Sequence, residues 1–489
     1  MALDLQEEGT FHVHATRTRP AVEVSADGVG VVSHAGSRLL ADLADRTTLS
    51  AQLSAVFAAR TAAQTAHDPG RVLVDVAVML ADGGECISDI AALTDQAAVF
   101  GPVASDSTCW RVLNSIADCD LAAIDAARSA ARAVAWAQRA EQSGQALPAS
   151  LVAGAPLLDR MGRPVLVLDQ DATIVVCHSE KEQAAATFKH TFGYHPVLNF
   201  CDNTNEALAG MLRAGNAGSN TAADHIAVLD AALVQLPDEY RHGYPVLVRS
   251  DGAGASKAFL AHIRSLREQG MHAQFSVGWA LTEREHTAIA TVPEQAWTAV
   301  IDADGDPREG AQVAELTGLL PIEMFADYPD GIRIIARRER PHPGAQLDLI
   351  ETRDGWRYTC FATDTAVGQH AWLDARHRSH ARVEDRIRTG KDTGLGRFPS
   401  RQFAINQAWL ACTLIAIDLI AFAQTILLHD QPQLAKAEPK TLRYRLLHVA
   451  ARLVGGGRKL RLKIDRTWPW ARALADAFHR LRALPVPIT

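Results

Sequence analysis

The chain has 489 residues, of which 48% are hydrophobic and 21% charged, a composition typical of folded protein that excludes extensive disorder. Its length exceeds one ordinary core and predicts three or four structural units. The formal charge of −7 excludes a basic surface over the whole molecule, and the seven cysteines lack the Cys-x-x-Cys spacing of zinc knuckles.

The first 150 residues predict a mainly helical domain. Apolar residues recur at spacings of three and four in "SRLLADLADRTTLSAQLSAVFAAR" and "RVLVDVAVMLADG". Ser105 or Asp106 can cap a helix of the length used in helix-turn-helix DNA readers, although a simple packing helix fits the same residues. The segment "EQSGQALPAS" then resembles a linker.

Residues 151–275 predict a mixed α/β unit. "PVLVLDQDATIVV", "HPVLNFCD" and "ALAGMLRAG" are three strand candidates, and "AADHIAVLDAALVQL" has helical periodicity. The following "YPVLVRSDGAGASKAFLAHIRSLREQGMHAQFSVG" alternates strand, glycine turn, helix and strand.

A β-rich block at residues 276–370 interrupts this pattern. "GIRIIARRERP", "QLDLIET" and "WRYTCFAT" are its predicted strands. Helices resume at residues 371–430 and include the apolar run from Ala408 to Ala423. Asp418 near the centre of that run would be costly in lipid, so we expect a buried helix and no membrane partner.

Acidic residues follow two of the predicted strands. Asp169 and Asp171 share one face of the first strand because side chains alternate with a period of two, and Asp251 closes the strand "YPVLVRSD". Solvated acids at strand ends are the simpler explanation for each alone. Together with a third acid, however, they have the oxygen ligands that a pair of magnesium ions about 3.5 to 4 Å apart requires.

The stretch "HRSHARVEDRIRTGKDTG", residues 377–394, supplies that third acid. Helical spacing places His377, His380, Glu384, Ile387 or Arg388, and Lys391 on one face. The histidines and the cations can contact phosphate, although a charged helix face is often merely solvated.

Residues 431–489 form a basic tail that we predict to be helical. From Lys440 to Arg482 it has twelve Lys or Arg against two acids. Arg458, Lys459, Arg461 and Lys463 are candidate DNA contacts, and a solvated helical surface is the alternative.

The order of these features resembles the DDE transposases of bacterial insertion sequences, which have a ribonuclease H-like catalytic fold. One branch of that family has the helix signature Tyr-x2-Arg-x3-Glu-x6-Lys, and this chain reads His377-x2-His380-x3-Glu384-x6-Lys391. "LDQDAT" and "LVRSDGAGASKAF" look like the first and second acid blocks. The resemblance therefore implies an α/β fold: a ribonuclease H-like core with a mixed sheet, interrupted by the β-rich insertion, between a helical N-terminal domain and a basic helical tail.

The resemblance also implies the activity. Asp171, Asp251 and Glu384 would be the catalytic acids and hold two Mg²⁺ or Mn²⁺ ions, with Asp169 a rival for the first position. The enzyme would bind terminal inverted repeats and target DNA, act by cut-and-paste transposition as a homodimer or larger assembly, and reside in the bacterial cytoplasm with the nucleoid. A nuclease of the same fold without strand transfer and a decayed DNA-binding regulator are the alternatives.

Overall fold

The computed structural model describes residues 24–59, 67–218, 221–457 and 459–485. A short strand, β1 (Val31–Val32), precedes a region that is helical, as its periodicity predicted. Its helices are α1 (Arg38–Arg46), α2 (Leu49–Phe57), α3 (Pro69–Asp82), α4 (Asp106–Asn114) and α5 (Asp118–Ser143), with single turns at Ala91–Thr94 and Ala97–Phe100. Helix α3 begins after Asp68, which accepts a hydrogen bond from the Gly70 N–H, and ends at Gly83 in a left-handed conformation.

A nine-stranded mixed sheet forms the centre of the molecule. Its strands are β2 (Leu166–Ala172), β3 (Val197–Cys201), β4 (Ala207–Met211), β5 (Pro245–Ser250), β6 (His272–Trp279), β7 (Thr298–Ile301), β8 (Pro307–Glu315), β9 (Arg333–Glu339) and β10 (Arg357–Thr363). They lie in the order β7-β8-β9-β10-β6-β5-β2-β3-β4. Strands β2, β5 and β6 run parallel, while β3 is antiparallel to β2 and β4 is antiparallel to β3.

The β-rich block continues this sheet. Strand β10 pairs antiparallel with β6, and β9, β8 and β7 follow outward from it. The predicted strand "QLDLIET" is wrong, since Leu349–Asp354 is a short helix. Asp348 accepts from the N–H groups of Ile350 and Glu351, and Glu351 accepts in return from the Asp348 N–H, so a capping box starts the helix.

Helices cover the sheet and continue beyond it. They are α6 (Ala222–Val234), α7 (Lys257–Ser265), α8 (Glu283–Thr291), α9 (His370–Arg378), α10 (Arg382–Gly390), α11 (Phe403–Phe422) and α12 (Ala471–Ala483), with a short helix at Asp238–Gly243. Helix α11 and the turn that follows it are long and apolar enough to cross a membrane, but 94% of their most apolar stretch is buried within the protein. The expectation of a buried helix is therefore confirmed.

One hydrophobic core joins the N-terminal helices to the end of the chain. It contains side chains of α1 to α5, of α11 and of the C-terminal region, including Leu474 and Leu481 of α12. A second core lies under the central sheet against α6 and α7. Helix α11 contacts α3 and α5 on one side and β4 on the other, and therefore holds the helical region against the sheet.

A buried ionic network explains why Asp418 lies in the middle of apolar helix α11. Its Oδ2 accepts from Arg128 at 2.9 Å and from Arg132 at 2.6 Å, and its Oδ1 accepts from the Ala207 N–H at 3.1 Å. Arg132 also donates to Glu206 at 2.5 Å. Paired and hydrogen-bonded in this way, the charges are tolerated away from water.

The prediction of a helical tail is wrong for its middle part. Strands β11 (Ala451–Gly456) and β12 (Lys459–Ile464) form a hairpin, and β1 pairs with β11. Its inner residues, Leu453, Leu462 and Ile464, pack against the N-terminal core. The alternation of basic and apolar residues along β12 has the period of a strand, and the turn begins at Gly457, directly after β11.

Candidate functional site

Two of the three predicted acids end adjacent parallel strands. In the register of β2 and β5, Arg249 lies opposite Asp169 and Ser250 opposite Gln170. Continuing this register by one residue brings Asp251 beside Asp171 on the same edge of the sheet. Gly278 of β6 permits the Asp251 turn to lie against the sheet, because a Cβ there would fall 2.6 Å from the Gly252 nitrogen.

The third acid, Glu384, lies in a broken helix that packs over this edge. Helix α9 ends at Arg378, a 3-10 turn spans Ser379–Ala381, and α10 begins at Arg382. Arg382 and Arg386 of α10 both pair with the buried carboxylate of Asp202, just after β3. These ion pairs fix the face of α10 that carries Glu384 relative to the strand ends.

The structure places Asp169 and Asp171 in different environments. Asp169 is fully buried. Its carboxylate accepts hydrogen bonds from Arg249 Nε at 2.7 Å, from Arg249 Nη2 at 2.8 Å and from His380 Nδ1 at 2.9 Å. Although burial opposes ionisation, Arg249 and His380 hold the pKa of Asp169 below its usual range. Asp169 therefore anchors the helix to the sheet, with its oxygens occupied by protein donors.

Asp171 has no such cation partner among the described residues. Burial and repulsion from Asp251, with a smaller contribution from Glu384, raise the pKa of Asp171 to about 6, and His380 opposes the shift. The charges of Asp251 and Glu384 therefore act on Asp171 across the cleft edge of the sheet. Their mutual repulsion is what a bound cation would relieve, so the donor set fits hard divalent ions.

The three acids do not form one compact ligand cluster in the metal-free protein. In the described chain, a single group of three or more His, Cys, Asp or Glu ligand atoms lies within 4.8 Å of one another, and that group is elsewhere. Ions about 3.5 to 4 Å apart, each about 2 Å from its oxygen ligands, allow carboxylates on different ions to be up to about 8 Å apart.

Asp251 and Glu384 line a cleft of about 930 Å³ whose opposite wall comes from the β-rich block. Arg308 of β8, Arg337 of β9 and Arg357 of β10 lie on that wall. Arg337 pairs with Asp374 at 2.9 Å, whereas Arg308 and Arg357 are exposed and make no ion pair within the described ranges. Positively charged side chains opposite the carboxylates would attract an anionic polymer and so allow it to approach the metal-binding acids.

Sequence patterns missed these arginines, because their approach to the cleft depends on the pairing of β10 with β6. The sequence feature that could have indicated them is the presence of arginine in each of three strands of the β-rich block. Local alternation gives the face of a strand but not its neighbour in the sheet.

The two histidines line the same cleft but differ in chemistry. His377 lies 3.0 Å from Ser276 Oγ and stacks on Phe361, with ring centroids 4.6 Å apart. Burial is the main cause that lowers the pKa of His377 to about 3. The positive charges of His380, Arg249 and Arg376 add to this shift. It is therefore neutral at physiological pH and cannot hold phosphate as a cation.

His380 presents an unused nitrogen. Its Nδ1 is engaged by Asp169, and its Nε2 is buried with no hydrogen-bond partner within the described part of the chain. His380 also lines the cleft, so this nitrogen lies just below the cleft surface with its hydrogen-bonding capacity unused.

Of the predicted face, only the side chains up to Glu384 line the cleft. Arg388 is exposed and pairs with Asp385 and Glu438, each at 2.8 Å. Lys391 begins a wider helical turn, Lys391–Leu395, and lines a separate cavity with Lys181 and Arg397. The 3-10 turn changes the angular spacing before Arg382, whereas Arg388 and Lys391 keep α-helical spacing from Glu384 but contact groups outside the cleft.

Three of the four basic tail residues share one face of the hairpin. Lys459, Arg461 and Lys463 alternate with apolar residues along β12, and Lys463 lies opposite Arg452 of β11. All are exposed and have no ion pair in the described residues. Arg458 falls outside the described residues.

Comparison with known proteins gives a family match and a likeness to solved structures. The family model described as "Transposase DDE domain group 1" matches residues 14–486. A piggyBac transposase synaptic complex with hairpin DNA is 9% identical with a TM-score of 0.38, covering 84% of this chain and 80% of that one. No curated protein matches.

Proposed function

This chain belongs to the DDE transposase family, transposase DDE domain group 1, and we propose from that premise that it moves a bacterial insertion sequence by a cut-and-paste reaction. Family membership makes it a phosphoryl-transfer enzyme of DNA transposition. In the proposal, it binds terminal inverted repeats, cuts the element ends and joins their 3′ hydroxyls to target DNA. The convergence of Asp171, Asp251 and Glu384 beside an arginine-lined cleft is the observation that carries this proposal.

The proposed catalytic core is ribonuclease H-like. Within the sheet, β4-β3-β2-β5-β6 has the chain order 3-2-1-4-5, with the second strand antiparallel to its neighbours. Asp171 lies at the end of the first strand of this unit, Asp251 directly follows the fourth, and Glu384 comes from a helix after the last strand. This topology supports the assignment independently of the helix signature.

Asp171, Asp251 and Glu384 would hold two Mg²⁺ or Mn²⁺ ions. Such ions activate a water or a sugar hydroxyl and stabilise the leaving oxygen. In this assignment Asp171 is the first catalytic acid, and Asp169 is a positioning residue that holds His380 and Arg249.

The other cleft residues would position the DNA strand. Arg308 and Arg357 would bind backbone phosphates through charge-assisted hydrogen bonds. His380 Nε2 would form a hydrogen bond with the strand beside the scissile phosphate, while neutral His377 supports the site through Ser276 and Phe361. Two successive in-line displacements at one metal site require no covalent protein intermediate.

Recognition of the inverted repeats would use the helical N-terminal region and the basic face of the hairpin. Lys459, Arg461 and Lys463 project from a two-stranded ribbon, a shape that DNA grooves accept. Trp468 packs against the core and donates to the Arg445 carbonyl, which favours a structural role for it over base stacking. Pairing of two element ends implies a homodimer or larger assembly in the bacterial cytoplasm.

Strand cleavage at the flanking inverted repeats tests the proposal. Purified protein with Mg²⁺ should nick labelled end DNA, and Asp251→Ala should reduce the rate at least a thousandfold while retaining end binding. Glu384→Gln should have the same effect, whereas Asp385→Asn on the same helix should cut normally. Undiminished cutting by Asp251→Ala or Glu384→Gln would contradict the assignment.

A second assay separates transposition from simple nuclease activity. Pre-cut ends carrying free 3′ hydroxyls should become joined to a supercoiled target plasmid. Cleavage without joining would indicate a nuclease of the same fold, and end binding without either reaction would indicate a decayed DNA-binding regulator.

A further inference from the structure

Three potential metal ligands from distant parts of the chain meet away from the acidic cleft. His34 precedes the turn Ala35–Ser37, Asp82 ends α3, and His448 follows the helical turn Arg443–Leu447. His34 Nδ1 lies 2.5 Å from Asp82 Oδ2, and His448 Nε2 lies 3.2 Å from Asp82 Oδ1. Throughout the described ranges, this is the one group of three or more such ligand atoms within 4.8 Å of one another.

We propose that His34, Asp82 and His448 bind one divalent transition-metal ion of the zinc class. Two imidazole nitrogens and one carboxylate oxygen are a common donor set for Zn²⁺, and three protein ligands leave a fourth tetrahedral position for water. Magnesium prefers oxygen ligands alone. This site should therefore select a different metal from that of the three acids.

Burial and access at this site suit a bound ion. The Asp82 side chain is only 3% exposed, whereas those of His34 and His448 are 29% and 38% exposed. An ion can therefore reach the nitrogens from solvent while the carboxylate stays shielded. Ser37 also donates a hydrogen bond to the Asp82 carboxylate.

The end of helix α3 adds a favourable field. Asp82 is the last residue of α3 and therefore lies at the negative end of the helix dipole. Arg443 is a positive charge that acts on His448, and its guanidinium donates hydrogen bonds to the carbonyl oxygens of Leu80, Ala81 and Asp392. His448 Nε2 also lies 2.8 Å from the Asp82 carbonyl oxygen, a further oxygen near the site.

The ion would fasten the base of the basic hairpin. His34 follows β1, which pairs with β11, and the Ala35 N–H donates to the Val449 carbonyl at 3.1 Å. His448 comes three residues before β11 begins. A metal joining both histidines to α3 would thus fix the start of the hairpin against the helical region.

Metal titration of the untagged full-length protein tests this site. After treatment with a chelator, the wild type should bind one Zn²⁺ per chain by calorimetry at pH 7.5, and Co²⁺ should give the visible absorption of a tetrahedral complex. His34→Ala and His448→Ala should each weaken Zn²⁺ binding at least tenfold, and the control His342→Ala, at an exposed histidine, should not. Equal affinity in all four proteins, or no binding by the wild type, would overturn the proposal.

Chemical modification of the wild-type protein provides a second test that does not depend on whether a variant folds. Zn²⁺ should protect His34 and His448 from diethyl pyrocarbonate while His342 remains reactive. It should also slow hydrogen exchange at the Ala35 and Leu453 amides, which hold β1 and its flanks against β11. Unchanged reactivity of both histidines at saturating Zn²⁺ would refute the site.

Discussion

Asp169 and Asp171 share one face of β2 but have different roles. Asp169 has its oxygens filled by Arg249, His380 and Arg386, whereas Asp171, two residues later, faces Asp251 and Glu384. Alternation predicted their common face correctly. It could not choose between them, because Arg249 and His380 come from 80 and 211 residues away in the chain.

Substituting each aspartate by asparagine should have opposite effects on stability. Asp169→Asn leaves buried Arg249 without a full counter-charge and should lower the free energy of unfolding by about 3–5 kcal/mol. Asp171→Asn removes a repelled carboxylate and should raise that of the metal-free protein by about 1–3 kcal/mol while abolishing cleavage. Urea denaturation with a chelator measures both, and equal destabilisation by the two changes would contradict the division of roles.

The stabilising effect of Asp171→Asn should depend on pH. The folded protein holds a proton on Asp171 up to a pKa of about 6, whereas the unfolded chain releases it near 3.8. The wild type therefore loses stability relative to the variant as pH rises through this window. Between pH 5 and pH 8 the difference in free energy of unfolding should grow by about 1 kcal/mol. A difference that stays constant would show that the pKa is not raised.

At the scale of elements, local patterns located the strands and helix that carry the acids. The hydrophobic run before Asp169, the run before Asp251 and the charged stretch around Glu384 each formed the predicted element. The breaks near residues 379 and 391 were missed, because α-helix, 3-10 and wider turns share nearly the same local residue preferences. The arginine wall and the hairpin also depend on strand partners that local sequence does not specify.

The β-rich block should contribute to DNA affinity through charge. Arg308→Ala with Arg357→Ala should weaken binding of end DNA and reduce the slope of log affinity against log salt by about one unit per arginine. Fluorescence anisotropy between 50 and 200 mM salt measures this slope. The slope depends on the number of counterions that are released when the arginines bind phosphates.

Arg353→Ala is the matched control for these changes. Arg353 belongs to the same block but lies outside the cleft, exposed and paired with Asp354. A salt slope that changes equally in this control, or not at all in the double variant, would exclude a role for the arginine wall.

For the whole molecule, the shared core and the network around Asp418 unite regions that composition suggested were separate. Sequence patterns indicated the helical N-terminal region and the basic tail as units, but their packing together on α11 is a long-range property. In the sequence, Asp418 argues against a membrane span, but its partners Arg128 and Arg132 lie 290 and 286 residues away in the chain.

Breaking this network should destabilise the protein as a whole. Asp418→Ala leaves two buried arginines without their shared carboxylate and should cost about 3–5 kcal/mol. Asp430→Ala removes the partner of Arg480 near the surface and should cost under about 1 kcal/mol. Denaturation monitored by tryptophan fluorescence and circular dichroism compares them, and similar costs would show that the network does not hold the regions together.

Metal positions in a DNA complex test the central claim most directly. Crystals of the full-length protein with a repeat end and Mn²⁺ should give two anomalous peaks about 3.5–4 Å apart, ligated by Asp171, Asp251 and Glu384, with none at Asp169. Absence of peaks among these three acids at saturating Mn²⁺, or ligation through Asp169 in place of Asp171, would contradict the account.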